Sequence, residues 1–108
     1  MRAMVQAFDT GDTGRTELYV HPDYLDHQSL GGQPIRGVAG FVTVVGAART
    51  GFSRLNVTVE DLISGADRAA ARLRWTGTRE SGDDVVRETL EIVRIVDGRA
   101  IEHWGGHS

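Results

Sequence analysis

The sequence predicts an α+β domain in which short helices precede a curved antiparallel sheet wrapped around one long helix. Three observations carry this. From Gly37, apolar residues recur at helical spacing; after Phe52 the apolar pattern changes to period two; and the period-two segments are joined by short turns rich in Gly and Asp. Helices followed by consecutive hairpin-linked strands mark an α+β chain, whereas an α/β chain would alternate the two.

Residues Arg2 to Phe8 form a short predicted helix that Gly11 ends, and a second begins near Thr13 or Thr16, either able to cap it, and runs towards Tyr19. Pro22 closes this part. Asp23-Tyr24-Leu25-Asp26-His27 reads as a short extended segment before the loop Gly31-Gly32-Gln33-Pro34. Val38, Phe41, Val42, Val45 and Ala48 then define the apolar stripe of the main helix, which Gly51 terminates. Leu55, Val57 and Val59 alternate with Asn56, Thr58 and Glu60 on a half-buried strand. Gly65-Ala66-Asp67 turns the chain into a second long strand, Arg68 to Thr78, whose Ala69, Ala71, Leu73 and Trp75 face inward against Ala70, Arg72, Arg74 and Thr76. After Ser81-Gly82-Asp83-Asp84, two further strands complete a four-stranded meander. Each strand has one apolar face to bury, so the sheet curves around the long helix and leaves a concave pocket between them. Ala69, Ala71 and Gly77 leave room there, and Trp75 and Phe41 supply walls.

At 108 residues and 40% hydrophobic content the chain suits one domain, residues 1–108, with one modest core. It has no cysteine, which excludes disulfides, thiolate nucleophiles and Cys-ligated zinc. The formal charge is −3 and the twelve arginines are scattered, so no nucleic-acid partner is expected. No apolar run approaches the roughly 20 residues of a membrane span, and no signal-peptide core is visible, so a cytoplasmic protein without membrane contact is the expectation. His21, Asp23, Asp26 and His27 cluster, but their spacing fits no zinc or iron motif, and no metal site is expected. No nucleotide or phosphate fingerprint is present, and no cofactor is expected.

The closing hairpin carries the chemistry. Two registers are available to Arg87–Gly106. A three-residue loop, Val96 to Gly98, sets His103 across from Glu91; a two-residue Asp97-Gly98 loop sets it across from Ile92. The first is favoured, because it pairs opposite charges and brings Arg94 diagonal to Glu102. It joins a carboxylate and an imidazole as an acid-base pair; the second separates them and leaves mainly a binding scaffold. The competing structural role for Glu91 and His103 is an ion pair that fixes register.

The order Asp-Tyr-Leu-Asp-His, Gly37-Val38-Ala39-Gly40-Phe41, Leu55 to Leu62, Gly65-Ala66-Asp67-Arg68, Trp75-Thr76-Gly77-Thr78 and Arg94 to Trp104 resembles the SnoaL-like polyketide cyclases of the nuclear-transport-factor-two-like superfamily, over nearly the whole chain. The resemblance implies a cone-shaped fold and an aldol closure, in which a carboxylate removes an acidic C–H proton while His and polar groups assist the carbonyl. The family places its Asp directly after the Glu-His-Trp motif; here Gly105 stands there, His103 is kept, and Glu91 is the candidate replacement. Tyr24, Asp26 and His27 match polar positions at the pocket mouth, with Asp26 a second candidate base. Arg79 matches a position where relatives often carry His, able to hold a substrate carboxylate or enolate oxygen or to lie at the surface. The segment after Gly77 is shorter than in relatives, so substrate cover differs.

The expected function is therefore a cofactor-independent cyclase or isomerase acting on a small apolar, polyketide-like carbonyl compound, with Glu91 or Asp26 as base and His103 as acid or oxyanion partner. Tyr24, His27, Phe41, Trp75 and Arg79 are the expected substrate contacts. The rivals are an epoxide-opening hydrolase, with His103 or Tyr24 protonating the leaving oxygen, and a non-catalytic ligand-binding or dimerisation module. A homodimer through the outer face of the sheet is expected.

Overall fold

The computed structural model describes residues 1–30 and 33–107. Helix α1 (Arg2–Thr10) and a single 3₁₀ turn (Thr16–Leu18) precede strands β1 (Val20–Leu30) and β2 (Gln33–Arg36). Helix α2 (Gly37–Arg49) follows, then β3 (Phe52–Ser64), β4 (Arg68–Arg79), β5 (Asp84–Val96) and β6 (Arg99–His107). Gly31 and Gly32 of the expected loop lie outside the described residues.

The α+β architecture is as expected, but the sheet has six strands, in the order β2-β1-β6-β5-β4-β3, and is mixed. The short segment expected at Asp23–His27 belongs to the longer β1, which runs parallel to β6 while the other neighbours are antiparallel. Pro22, which has no N–H to give a ladder, falls where β1 and β6 change register, between the pairs Val20↔Ala100 and Leu25↔Glu102. The expected second helix shrinks to one turn. There the Thr16 hydroxyl, instead of capping, donates to the Thr13 carbonyl at 2.7 Å.

The closing hairpin adopts neither simple register. Asp97 (φ 54°) and Gly98 (φ 74°) are both left-handed, which defines the two-residue primed turn that an Asp-Gly pair favours. Pairing begins as Val96↔Arg99 and Ile95↔Ala100, but Ile101 bulges out and the next pairs are Arg94↔Glu102, Val93↔His103, Ile92↔Trp104 and Glu91↔Gly105. The three-residue loop is thus corrected to two. The bulge places His103 two residues along from Glu91 on the same face of the sheet, a diagonal that long side chains can cross.

Phe41 and Val45 of α2 pack into the concave face with Val20, Tyr24, Ala69, Val93 and Ala100, all nearly inaccessible. Val42, expected on the same stripe, points outward and is 37% exposed. Helix α1 closes the other side of the cone by burying Met4, Val5 and Ala7. It is held from two directions. Arg49 Nη1 donates to the carbonyls of Phe8 (2.6 Å) and Asp9 (2.8 Å), satisfying the helix C-terminus with a cation, and Asp9 Oδ1 accepts the N–H of Val57 (2.8 Å) on edge strand β3.

Candidate active site

Alternation along each strand sets which side chains enter the cone. β1 contributes Tyr24, Asp26 and Gln28; β5 contributes Thr89, Glu91 and Val93; β6 contributes His103; β4 contributes Leu73 and Trp75. With Phe41 and Val44 of α2 and Met4, Val5 and Phe8 of α1 they enclose a mainly apolar cavity of about 140 Å³. Phe8 meets Phe41 and Trp75 edge to face, with ring centroids 5.6 and 5.4 Å apart, so the aromatic wall is continuous between helices and sheet.

At the polar end of this cavity four side chains form one chain of hydrogen bonds. Asp26, 2% exposed, has both carboxylate oxygens engaged: Oδ1 accepts from the backbone N–H of Gln28 (2.9 Å) and from His103 Nδ1 (2.9 Å), and Oδ2 accepts from the Tyr24 hydroxyl (3.1 Å). His103 Nε2 donates to Glu91 Oε1 at 2.6 Å. Because both ring nitrogens face carboxylates, the geometry suits the imidazolium, which can donate from both. Burial alone would lower the His103 pKa, but the hydrogen bonds it donates to Asp26 and Glu91 and their charges outweigh it and hold the group at about 9. Burial, followed by the neighbouring Asp26 carboxylate, pushes the Tyr24 phenol well above its ordinary value, so it remains a donor.

Glu91 differs from Asp26 in one respect that matters for chemistry. Among the described residues no donor is bonded to its Oε2, and the carboxylate faces the cavity across from Gly105. A Cβ on Gly105 would stand 2.7 Å from Glu91 Oε1 and 2.5 Å from Gln28 Nε2. The missing side chain at position 105 is therefore the space that the Glu91 carboxylate and the Gln28 amide occupy.

Asp26, Glu91, His103, Tyr24, Phe41 and Trp75 are brought together around this cavity. His27 is not: it lies on the outer face of the sheet, its ring stacked on Trp104 (4.9 Å, 9°) and its Nε2 2.7 Å from Glu102. Arg79 lines a second, adjoining hollow of about 240 Å³, which shares Ala48, Trp75 and Thr89 with the first. Sequence reasoning missed Gln28, Thr89 and the α1 residues. Gln28 and Thr89 follow Asp26 and precede Glu91 by two positions, so strand parity would have found them had β1 been extended. Nothing local marks α1 as a cavity wall. Among the described residues no cluster of three His, Asp or Glu side chains is arranged to hold a metal ion, and no helix is long and apolar enough to cross a membrane.

Comparison with known proteins agrees with this architecture. The family model of the SnoaL-like polyketide cyclases matches residues 1–106. The nogalonic acid methyl ester cyclase of Streptomyces nogalater is 34% identical over 93% of this chain and 81% of its own length. The aklanonic acid methyl ester cyclase AcmA of Streptomyces galilaeus is 30% identical over 95% and 78%. Among solved structures, wild-type IdmH of Streptomyces antibioticus superposes with a TM-score of 0.82 at 25% identity, covering 97% of this chain and 86% of that one. With its curved sheet and helices in the nuclear-transport-factor-two-like arrangement, the chain belongs to the SnoaL-like polyketide cyclase family.

Proposed function

We propose that this chain is a cofactor-independent cyclase that closes a ring in a polyketide-like carbonyl compound by an intramolecular aldol step, with Glu91 as the base. The observation that carries this reading is the asymmetry between the two carboxylates on His103. Asp26 has no free oxygen for a substrate, while Glu91 has one and presents it to an apolar, aromatic cavity. Glu91 Oε2 takes a proton from the carbon next to a carbonyl, the enolate attacks a second carbonyl, and the same proton returns to the new alkoxide oxygen, so the step needs no redox partner. His103 is a positioning residue in this scheme: its cation pairs with Glu91 and aims it, and Asp26 holds the ring. Gln28, converging on the space over Gly105, supplies a neutral donor for the developing oxyanion.

The same geometry disfavours epoxide opening. That reaction needs a free acid for the leaving oxygen, and both expected acids are committed, Tyr24 to Asp26 and His103 to two carboxylates. The test is turnover of nogalonic acid methyl ester and aklanonic acid methyl ester, the compounds for which the relatives are named, followed by mass and retention of the cyclised product. Glu91→Gln should lower the rate by about 10²–10⁴-fold while leaving the protein folded. An unchanged rate in that variant removes Glu91 from the chemistry, and binding of these esters by the wild type without turnover favours a binding module.

The second copy of a homodimer is proposed to sit on the outer face of the sheet, where Leu90 and Ile92 are 50% and 44% exposed.

A further inference from the structure

The inner face of β5 reads Val85, Arg87, Thr89, Glu91, Val93, so a cation lies on the concave side four residues from the candidate base. Arg79, on the same face of β4 as Trp75, joins it around the second hollow, whose remaining wall includes the apolar Phe52, Leu55 and Val85. A concave sheet face is normally the apolar one, and two guanidinium groups there call for an explanation. They differ from Arg72 and Arg94 of the outer face. Arg72 is bound by Asp61 and Glu88, and Arg94 by Glu102, at 2.7 to 2.9 Å. Among the described residues no carboxylate lies within 4.0 Å of Arg79 or Arg87. The Arg79 guanidinium instead lies over the Phe52 ring at 4.9 Å, which supports its plane on an apolar surface and leaves its N–H edges free.

The two hollows therefore have opposite electrical character. At the closed end Asp26, Glu91 and the His103 cation sum to one negative charge; at the open end two guanidinium groups stand unneutralised. Four residues of strand separate Glu91 from Arg87, or roughly 13 Å. We infer that the outer hollow is a carboxylate subsite, in which Arg79 and Arg87 hold an acidic group at the far end of an elongated planar substrate whose reacting carbon reaches Glu91. A carboxylate entering the other way round would meet the negative end and be repelled, so the charge pattern sets substrate orientation. The orientation rests on Glu91 as the reacting end; the subsite itself does not.

Binding without turnover tests it, read as quenching of Trp75, which stands in the wall between the hollows. The probes are anthraquinone-2-carboxylate and its uncharged isostere anthraquinone-2-carboxamide. The carboxylate should bind about ten-fold more tightly, from two charge-assisted contacts at a partly exposed site. Arg79→Gln/Arg87→Gln should abolish that preference by weakening the carboxylate far more than the carboxamide, and in the wild type about 0.5 M salt should shrink it. Equal affinity of the two probes, or a preference that survives the double substitution, overturns the subsite. Because no reaction is measured, full cyclisation by Glu91→Gln would refute the proposed base and leave this result standing.

Discussion

The two faces of the sheet use the same residue types in nearly the same register and obtain different results. On the outer face Glu102 bridges Arg94 (2.8 Å) and His27 (2.7 Å), with the His27 side chain 39% exposed. One position further along β6, on the inner face, His103 bridges Asp26 and Glu91, and its side chain is only 11% exposed. Outside, a carboxylate is shared by a guanidinium and an imidazole in reach of water, where screening leaves such contacts worth little. Inside, a cation is shared by two carboxylates in an aromatic cavity, where losing it strands charge. What separates a surface ion pair from a candidate catalytic group here is the sign of the shared residue and the solvent around it.

Removing the histidine on each side should expose this difference most strongly. His103→Ala leaves Asp26 and Glu91 buried without their cation and should cost about 3–5 kcal/mol in urea unfolding. His27→Ala should cost under about 1 kcal/mol. Similar losses in the two variants would mean that burial does not set the contrast. Proton linkage gives the same comparison a pH axis. The folded-state pKa of His103 is raised to about 9 from 6.5, so its contribution is complete below pH 6.5 and disappears as pH rises through 9. Wild-type stability should fall across that window, by at most about 1.4 kcal/mol per pH unit, and the slope should flatten in His103→Ala. A wild-type stability that rises from pH 6.5 to 9 would contradict a bound imidazolium.

The face of each residue was more legible in the sequence than its partner. Period-two alternation put Ala71, Trp75, Glu91 and His103 on the concave side, and the structure has them there. The pairing of Glu91 and His103 across β5 and β6 depended on the bulge at Ile101, and an Ile in a β-rich run carries no mark of a bulge. The parallel pairing of β1 with β6 was likewise invisible, since it joins residues 77 to 80 positions apart and Pro22 argued for an interruption. This hid the central feature of the site: Asp26 pairs with His103 in that ladder, and only then does the imidazole have carboxylates on both sides. His27, by strand alternation from Asp26, had to face outward.

Gly105 and Gly106 allow a smaller, sharper comparison between the two faces on one strand. A methyl group at Gly105 would press on the ends of Glu91 and Gln28, whereas one at Gly106 would meet nothing within 4 Å. The neighbours at Gly105 are the ends of flexible side chains, so Gly105→Ala should fold, at a cost of about 1 kcal/mol, by pushing the Glu91 carboxylate off His103. Gly106→Ala should be nearly neutral. If Glu91 is the base, Gly105→Ala lowers kcat by about ten-fold or more with little change in KM, because the misplaced group serves the reaction rather than binding. Matching kinetics in the two variants would show that the space over Gly105 has no part in catalysis.

A small stability effect should also come from Leu90 and Ile92 on the outer face, and there the informative quantity is the oligomeric state. In a lone chain Leu90 and Ile92 are already half exposed, so Leu90→Asp/Ile92→Asp should change monomer stability by no more than about 0.5–1 kcal/mol. If a second copy covers this face, the same change buries two unpaired carboxylates in an interface and should convert a dimer to a monomer in sedimentation. It should also remove the concentration dependence of wild-type Tm that coupled folding and association produce. A wild-type chain that sediments as a monomer at tens of micromolar, with Tm independent of concentration, would leave the outer face as solvent-exposed surface and confine function to the cone.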